Sequence, residues 1–274
     1  MAREPRTLAA APAARRSAEL VSVQIQSIER AATVLRLLAT RSGRRGVADL
    51  ASELELPKGT VYHILRTLQT VGFVEQDLES GKYQLGPALL HIGSRYLEGS
   101  ELRMRSLAWS ERLAGQTGEA VSIGAPHETL VLVVHQVFGP HEIPQAFAVG
   151  SLVPAHATAL GKALLAHRPD LASVLAGREL ASYTSATVTD PVALNAQLQR
   201  IAGRGWADDV EELLHGVASV AAPIASRQRV VIGAIAISGP IERICVDGSP
   251  RREVVEQVMD SARAISRELG GTAW

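Results

Sequence analysis

Several things are scarce or missing in this chain, and each shortage closes off an explanation. Its 274 residues include one cysteine, Cys245. An internal disulfide framework and a cysteine-based zinc site are therefore both excluded within one chain. A lone thiol fits a reducing compartment, so the expected location is cytoplasmic. No apolar run approaches the roughly 20 residues that span a bilayer; residues 230–237 form one of the longest. No membrane partner is expected. The first 22 residues are rich in Ala, Arg and Pro and have no apolar h-region. An Arg-rich transit peptide is one reading. A disordered basic tail is the preferred one, because Glu4, Pro5, Pro12 and Glu19 interrupt any amphipathic helix.

The familiar catalytic and ligating patterns are missing as well. His127, His135, His141 and His156 are dispersed, with no His-x-x-His or His-x-x-x-His pair, so no metal site is expected. Gly161-Lys162 lacks the upstream Gly of a phosphate-binding loop and is followed by Ala. No Gly-x-Ser-x-Gly elbow marks a nucleophile. No catalytic residue and no cofactor are assigned.

Net charge is zero, from 28 Lys+Arg and 28 Asp+Glu. It is not evenly spread. Residues 1–100 hold 13 Lys+Arg against 10 Asp+Glu, a net of +3, and the remainder holds 15 against 18, a net of −3. This modest asymmetry supports a nucleic-acid module in the N-terminal part.

What is present there is specific. Val47, Leu50, Ala51 and Leu54 repeat at three and four residues, as on one buried helical face. Pro57 suits the first turn of a second helix, whose buried stripe is Val61, Ile64, Leu65 and Leu68. At 100° per residue the opposite face carries Gly59, His63, Arg66, Thr67 and Thr70, with Tyr62 on its flank. Residues 73–76 and 82–85 flank a turn-rich connector ending in Gly81, which reads as a hairpin. Two helices, a tight turn and a wing form a DNA-reading device. Its recognition face is expected at Gly59, Tyr62, His63 and Arg66, with phosphate contacts from Arg44, Arg45, Lys58, Thr60 and Lys82. The turn position before Leu56 favours positive φ and hence Gly. Glu55 stands there, at a cost of about 1 kcal/mol.

A capped helix over 27–38 would back this pair. After the wing, 88–97 reads as a linker helix with Leu89, Leu90, Ile92 and Leu97 apolar and few partners in its own domain, which suits pairing with a second subunit. A further helix covers 101–116 and closes at 115–118. From residue 119 the pattern is α+β. Strands are expected at 119–124, 130–137, 144–149, 219–225 and 229–238. Helices are expected at 158–166, 169–175, 192–204 and 251–269. Two consecutive strand pairs imply an antiparallel sheet flanked by helices. The expected domains are a tail at 1–22, a winged helix-turn-helix at 23–86, a linker at 87–100 and a second domain at 101–274.

Motifs across both halves resemble the IclR family of bacterial transcription regulators. They are Leu56-Pro57-Lys58-Gly59-Thr60-Val61-Tyr62-His63, Tyr83-Gln84-Leu85-Gly86, residues 154–165 from Pro154-Ala155-His156 to Leu164-Leu165, residues 205–212 and residues 216–224. Together they cover about residues 25–270. Within the family the chain is similar to actinobacterial glycerol operon regulators, through Lys58-Gly59-Thr60, residues 64–69, residues 74–77, residues 158–162 and Val210-Glu211-Glu212. The resemblance implies a winged helix-turn-helix, a linker helix and a C-terminal GAF-like effector domain. It also implies a homodimer or dimer of dimers on double-stranded operator DNA, controlled by a small-molecule effector; a repressor is the preferred reading, and activators use the same architecture.

It further implies an effector site at Ala159, Leu160, Asp209, Ser219 and Ser238. Chemistry adds His156 and Thr158, because the segment leads into a helix whose free N–H groups favour anions. Asp209 would accept bonds from effector hydroxyls, and the two serines can donate or accept. Ser219 stands where many members carry Cys, and Ala236 where many carry Ser, so the small oxo-acid ligands of those members do not transfer. Glycerol or glycerol 3-phosphate suits the chemistry. Two other readings stay open. Asp209, Glu211 and Glu212 could form an exposed acidic patch capping a helix. A small-molecule enzyme could use His156 as base, oriented by Asp209.

Overall fold

The computed structural model describes residues 25–40, 43–139, 148–175 and 177–271. The expected tail at 1–22 and His141 lie outside these. Contacts divide the chain into two compact units between Ser94 and Arg95.

In the first unit, helices α1 (Gln26–Leu38), α2 (Val47–Glu53) and α3 (Lys58–Thr70) precede β1 (Val74–Gln76) and β2 (Tyr83–Leu85). The strands pair antiparallel, with Glu75 opposite Gln84. Val34, Leu38, Leu50, Ala51, Val61, Leu65 and Leu68 from the helices and Val74 and Tyr83 from the wing make one core. The expected buried stripes are therefore the ones that pack. Glu55 takes φ 53°, the left-handed conformation expected of the turn. Two local expectations change. Ser27 lies inside α1; Ile25 is the N-cap and supplies no side-chain bond. Pro57 is the N-cap of α3 rather than part of its first turn.

Helix α4 (Pro87–Glu98) buries none of its side chains, and the division between the units falls within it. Leu90, Ile92 and Tyr96 are exposed.

The second unit opens with α5 (Glu101–Thr117), capped by Ser100 and ended by Gly118 in the left-handed conformation. An antiparallel sheet follows, made of β3 (Ala120–His127), β4 (Leu130–Val137), β5 (Leu152–Pro154), β6 (Ala207–Val210), β7 (Val217–Ala225) and β8 (Val231–Pro240). Its order is β5-β4-β3-β8-β7-β6. Helices α6 (Ala159–His167), α7 (Pro169–Leu175) and α8 (Pro191–Arg204) lie between β5 and β6. After β8 come α9 (Ile241–Ile244), the small pair β9 (Cys245–Val246) and β10 (Ser249–Pro250), and α10 (Arg252–Glu268). Among the described residues no helix is long and apolar enough to cross a membrane.

The sheet is buried on both faces, and strand alternation sorts its residues. Val220, Ala222, Ile224, Ile235 and Ile237 pack with Leu102 and Leu113 of α5 and Val258, Ala262 and Ile265 of α10. Ala207, Ala221, Ala234 and Ala236 pack on the other face with Ala159, Leu160, Ala163 and Leu164 of α6, and Leu194, Leu198 and Ile201 of α8 join them. Small side chains on that face let α6 approach closely. Strands β5 and β6 were not expected, being three and four residues long. Of the strand expected at 144–149, only 148–149 are described, and they are not in a strand.

Candidate functional site

The first candidate surface is α3. Val61, Leu65 and Leu68 anchor it in the core, which turns Lys58, Gly59, Tyr62, His63 and Arg66 outward. A Cβ at Gly59 would meet nothing within 4 Å, so the start of the helix is open to a close partner. Tyr62 and His63 meet edge to face, with ring centroids 6.1 Å apart. The Thr67 and Thr70 hydroxyls donate back to the carbonyls of His63 and Arg66, at 3.0 Å each. The groups left to reach outward are therefore Tyr62, His63 and Arg66, with Lys58 and the half-buried Thr60 at the N-terminal end. Pro57 offers no side-chain cap, which leaves the first amides of α3 available to a phosphate.

The flanking cations differ among themselves. Arg45 is tied into the domain. Its backbone pairs with Tyr83, and its guanidinium donates to Glu53 at 2.7 Å and to Thr40 at 3.2 Å. Arg44 donates to Gln84 at 2.8 Å and pairs with Asp77 at 3.2 Å, so it braces the wing while staying half-exposed. Asp77 closes the wing turn by accepting from the Ser80 amide and hydroxyl at 2.8 and 2.6 Å, and these bonds hold its carboxyl below the usual range. Lys58 and Lys82 are exposed.

The second site lies on the α6 face of the sheet. Asp209 of β6 sits opposite Ser219 of β7, and Ser219 opposite Ser238 of β8. Three residues far apart in sequence thus form one cross-strand row, and the serine hydroxyls are 2.9 Å apart. The strand register alone puts all three on one face. Asp209 is 5% exposed and Glu212 6%, which removes the exposed acidic patch as an alternative.

Asp209 Oδ1 accepts the Glu212 amide at 2.8 Å. Burial dominates this carboxyl and pushes its pKa from 3.8 up to about 7, against the Glu212 amide and the Lys162 ammonium, which favour its charge. Lys162 of α6 is fully buried and forms a close ion pair with Glu212 Oε1. The corner after β6 is fixed from outside by Thr184 and Thr187, whose hydroxyls donate to the carbonyls of Glu211 and Glu212 at 2.6 Å each.

Helix α6 supplies the other wall. Thr158 caps it, accepting the Gly161 amide at 3.2 Å and donating to the Pro154 carbonyl at 2.8 Å. The Ala159 and Leu160 amides precede the first intrahelical bond, so they are the groups free for a ligand. Gly161 is required by close packing: a Cβ there would stand 2.2 Å from Ala155 Cα. The Leu160 side chain lies against Gly124 of β3. His156 is buried, with Nε2 2.9 Å from the Ala181 carbonyl and its ring tilted toward Tyr183. That bond engages one ring nitrogen with a backbone carbonyl rather than with Asp209.

The structure therefore brings Asp209, Ser219 and Ser238 together and sets Thr158, Ala159 and Leu160 at the start of the helix above their face. Sequence reasoning passed over Lys162, Glu212 and Ser122. Ser122 is 3% exposed and shares the α6 face, opposite Ala236. Lys162 had a usable signal. It is the one charged residue in the run 159–165, all of which is buried, and a buried lysine requires a partner. Glu212 had a weaker one, three residues past Asp209 across a corner.

A helix-turn-helix with a wing, followed by a helix-flanked antiparallel sheet holding a polar internal site, defines a DNA-binding transcription regulator with a small-molecule effector domain. Comparison with known proteins agrees. The profile described as "Bacterial transcriptional regulator IclR C-terminal" matches residues 94–267, and that of the "IclR helix-turn-helix domain" matches residues 27–78. The chain belongs to the IclR family. It is 48% identical to the glycerol operon regulatory protein of Streptomyces griseus, over 90% of this chain and 97% of that one. The protein of the same name from Streptomyces coelicolor gives the same identity and coverage. Among solved structures, an IclR transcriptional regulator from Alicyclobacillus acidocaldarius superposes with a TM-score of 0.75 at 26% identity, over 90% of this chain and all of that one.

Proposed function

We propose that this regulator represses an operon of glycerol metabolism and is controlled by glycerol or glycerol 3-phosphate. The observation that carries the reading is the Asp209–Ser219–Ser238 row, adjacent on one sheet face with Asp209 and Ser219 buried and Ser238 half-buried. A carboxyl and two hydroxyls in a line match the hydrogen-bonding needs of a small polyol. The open amides of Ala159 and Leu160 suit an attached phosphate. The name carried by the two Streptomyces relatives supports the choice of operon. On the DNA side, Gly59, His63 and Arg66 read bases while Lys58, Thr60, Arg44 and Lys82 meet phosphates. Arg45 acts by holding the wing in place. The repressor works as a dimer or dimer of dimers, with the exposed Ile92 and Tyr96, one turn apart on α4, covered by another copy.

The test is a gel shift on the DNA upstream of the chain's own operon, with and without glycerol and glycerol 3-phosphate. Asp209→Ala is expected to keep operator affinity and lose the response to either compound. A folded Asp209→Ala protein that no longer binds the operator would overturn the site assignment. A wild-type complex indifferent to both compounds would overturn the choice of effector.

A further inference from the structure

Lys162 and Glu212 are not needed to describe ligand contacts, yet they are among the most deeply buried charges in the chain. Lys162 is 0% exposed and Glu212 6%. Taking an ammonium and a carboxylate out of water costs several kcal/mol per ion, which the pair recovers only with good geometry and further hydrogen bonds. A pair of this kind is weak evidence for stability and calls for another role. Three observations give one. The pair joins α6, which carries the open amides, to the corner after β6. The backbone amide of Glu212 holds Asp209 Oδ1 at 2.8 Å. The second carboxylate oxygen, Glu212 Oε2, is buried with no hydrogen-bond partner among the described residues.

We propose that Lys162 and Glu212 are positioning residues for the effector site, a buried clamp that orients Asp209 and sets its charge through two opposed fields. The inference rests on Asp209 being the effector-binding carboxyl. The groups that face Asp209 can be named element by element. Helix α6 contributes Lys162, which favours the ionised form. The corner contributes Glu212, which opposes it through its charge and favours it through its amide. Strand β7 contributes the uncharged Ser219. The neighbouring Asp208 alternates to the other side of β6, where it pairs with Arg204. Desolvation raises the carboxyl and Lys162 restrains it, so its ionisation falls near neutrality. Effector recognition then depends on pH across the physiological range, because a neutral carboxyl can donate to a ligand hydroxyl and a carboxylate can only accept.

The clamp can be tested on the full-length protein without knowing the effector. Asp209 is followed by carbon-13 NMR titration of labelled aspartate in wild type, in Glu212→Gln, and in the double variant Lys162→Met with Glu212→Gln. Glu212→Gln keeps the amide bond to Asp209 and removes the like charge, so the midpoint of Asp209 falls, by on the order of one pH unit. Adding Lys162→Met removes the favourable charge and moves the midpoint back up by a similar amount. A packing role alone would not produce shifts of opposite sign. Thermal melting of the full-length protein certifies that each variant is folded, and a gel shift checks that operator binding persists. Unchanged midpoints in folded variants overturn the proposal. Glycerol and glycerol 3-phosphate are titrated into the wild type in parallel. If neither binds while the midpoints move in the expected order, the choice of effector fails and the clamp stands.

Discussion

Ser219 and Ser238 point their hydroxyls at one another across β7 and β8, 2.9 Å apart, with Asp209 next in the row. One of the two hydroxyls donates to the other, and the acceptor's own O–H can donate onward. A ligand hydroxyl entering the row can accept from one serine and donate to the other, replacing one hydrogen bond with two. The arrangement favours a ligand that both donates and accepts.

The buried carboxyl in that row has a signature in stability. The folded protein keeps a proton on Asp209 up to about pH 7, whereas the unfolded chain releases it near 3.8. Between those values the folded state binds more protons, so stability falls as pH rises through the window and is level outside it. Asp209→Asn removes this dependence. Its stability relative to wild type is expected to grow from about pH 4 to about pH 7, by at most about 4 kcal/mol. Denaturant melts of both proteins across that range check it, and parallel curves would show that Asp209 ionises normally.

Recognition by α3 separates into two measurable parts. His63→Ala is expected to relax base preference in a binding-site selection while affinity for non-operator DNA holds. Arg66→Ala is expected to weaken operator binding by about 1–3 kcal/mol if it reads a base. A change of about one in the salt slope, equal on all sequences, would instead assign Arg66 to a phosphate.

Gly161 allows α6 to lie on the end of β5. A methyl there would collide with backbone, 2.2 Å from both the Cα and the carbonyl oxygen of Ala155. Overpacking of this kind costs about 1–3 kcal/mol. Gly161→Ala is expected to lower the melting temperature and to remove the effector response by displacing the amides of Ala159 and Leu160. Calorimetry and the gel shift read the two effects, and a variant as stable and as responsive as wild type would contradict this packing.

Glu55 stores strain in the turn between α2 and α3, at φ 53°. Glu55→Gly relieves it and is expected to stabilise the N-terminal unit by about 1 kcal/mol. Amide hydrogen exchange over α2 and α3 in the full-length protein checks the sign.

The N-terminal unit was legible from sequence because its signals are local. Helical spacing picked Val61, Leu65 and Leu68 as buried, and Glu55 announced the turn even as an exception to its preferred residue. The effector site was legible only in part. Asp209 and the serines came from family motifs, and nothing in the run 207–210 advertises a strand, since two of its four residues are Asp. The row exists through register between strands up to thirty residues apart, a long-range property that local pattern does not carry. Lys162 was passed over because its lack of a phosphate-loop context drew attention away from its burial.

The alternation along β7 and β8 has a consequence for divergence. Positions 219, 221, 236 and 238 face α6, while 220, 222, 224, 235 and 237 hold the sheet to α5 and α10. One strand thus carries two independent sets of selectable positions. Exchanges among Ala and Ser on the first set can retune what the protein senses without disturbing the second. A lineage can change the effector it answers to by a few such steps and keep its scaffold and its operator.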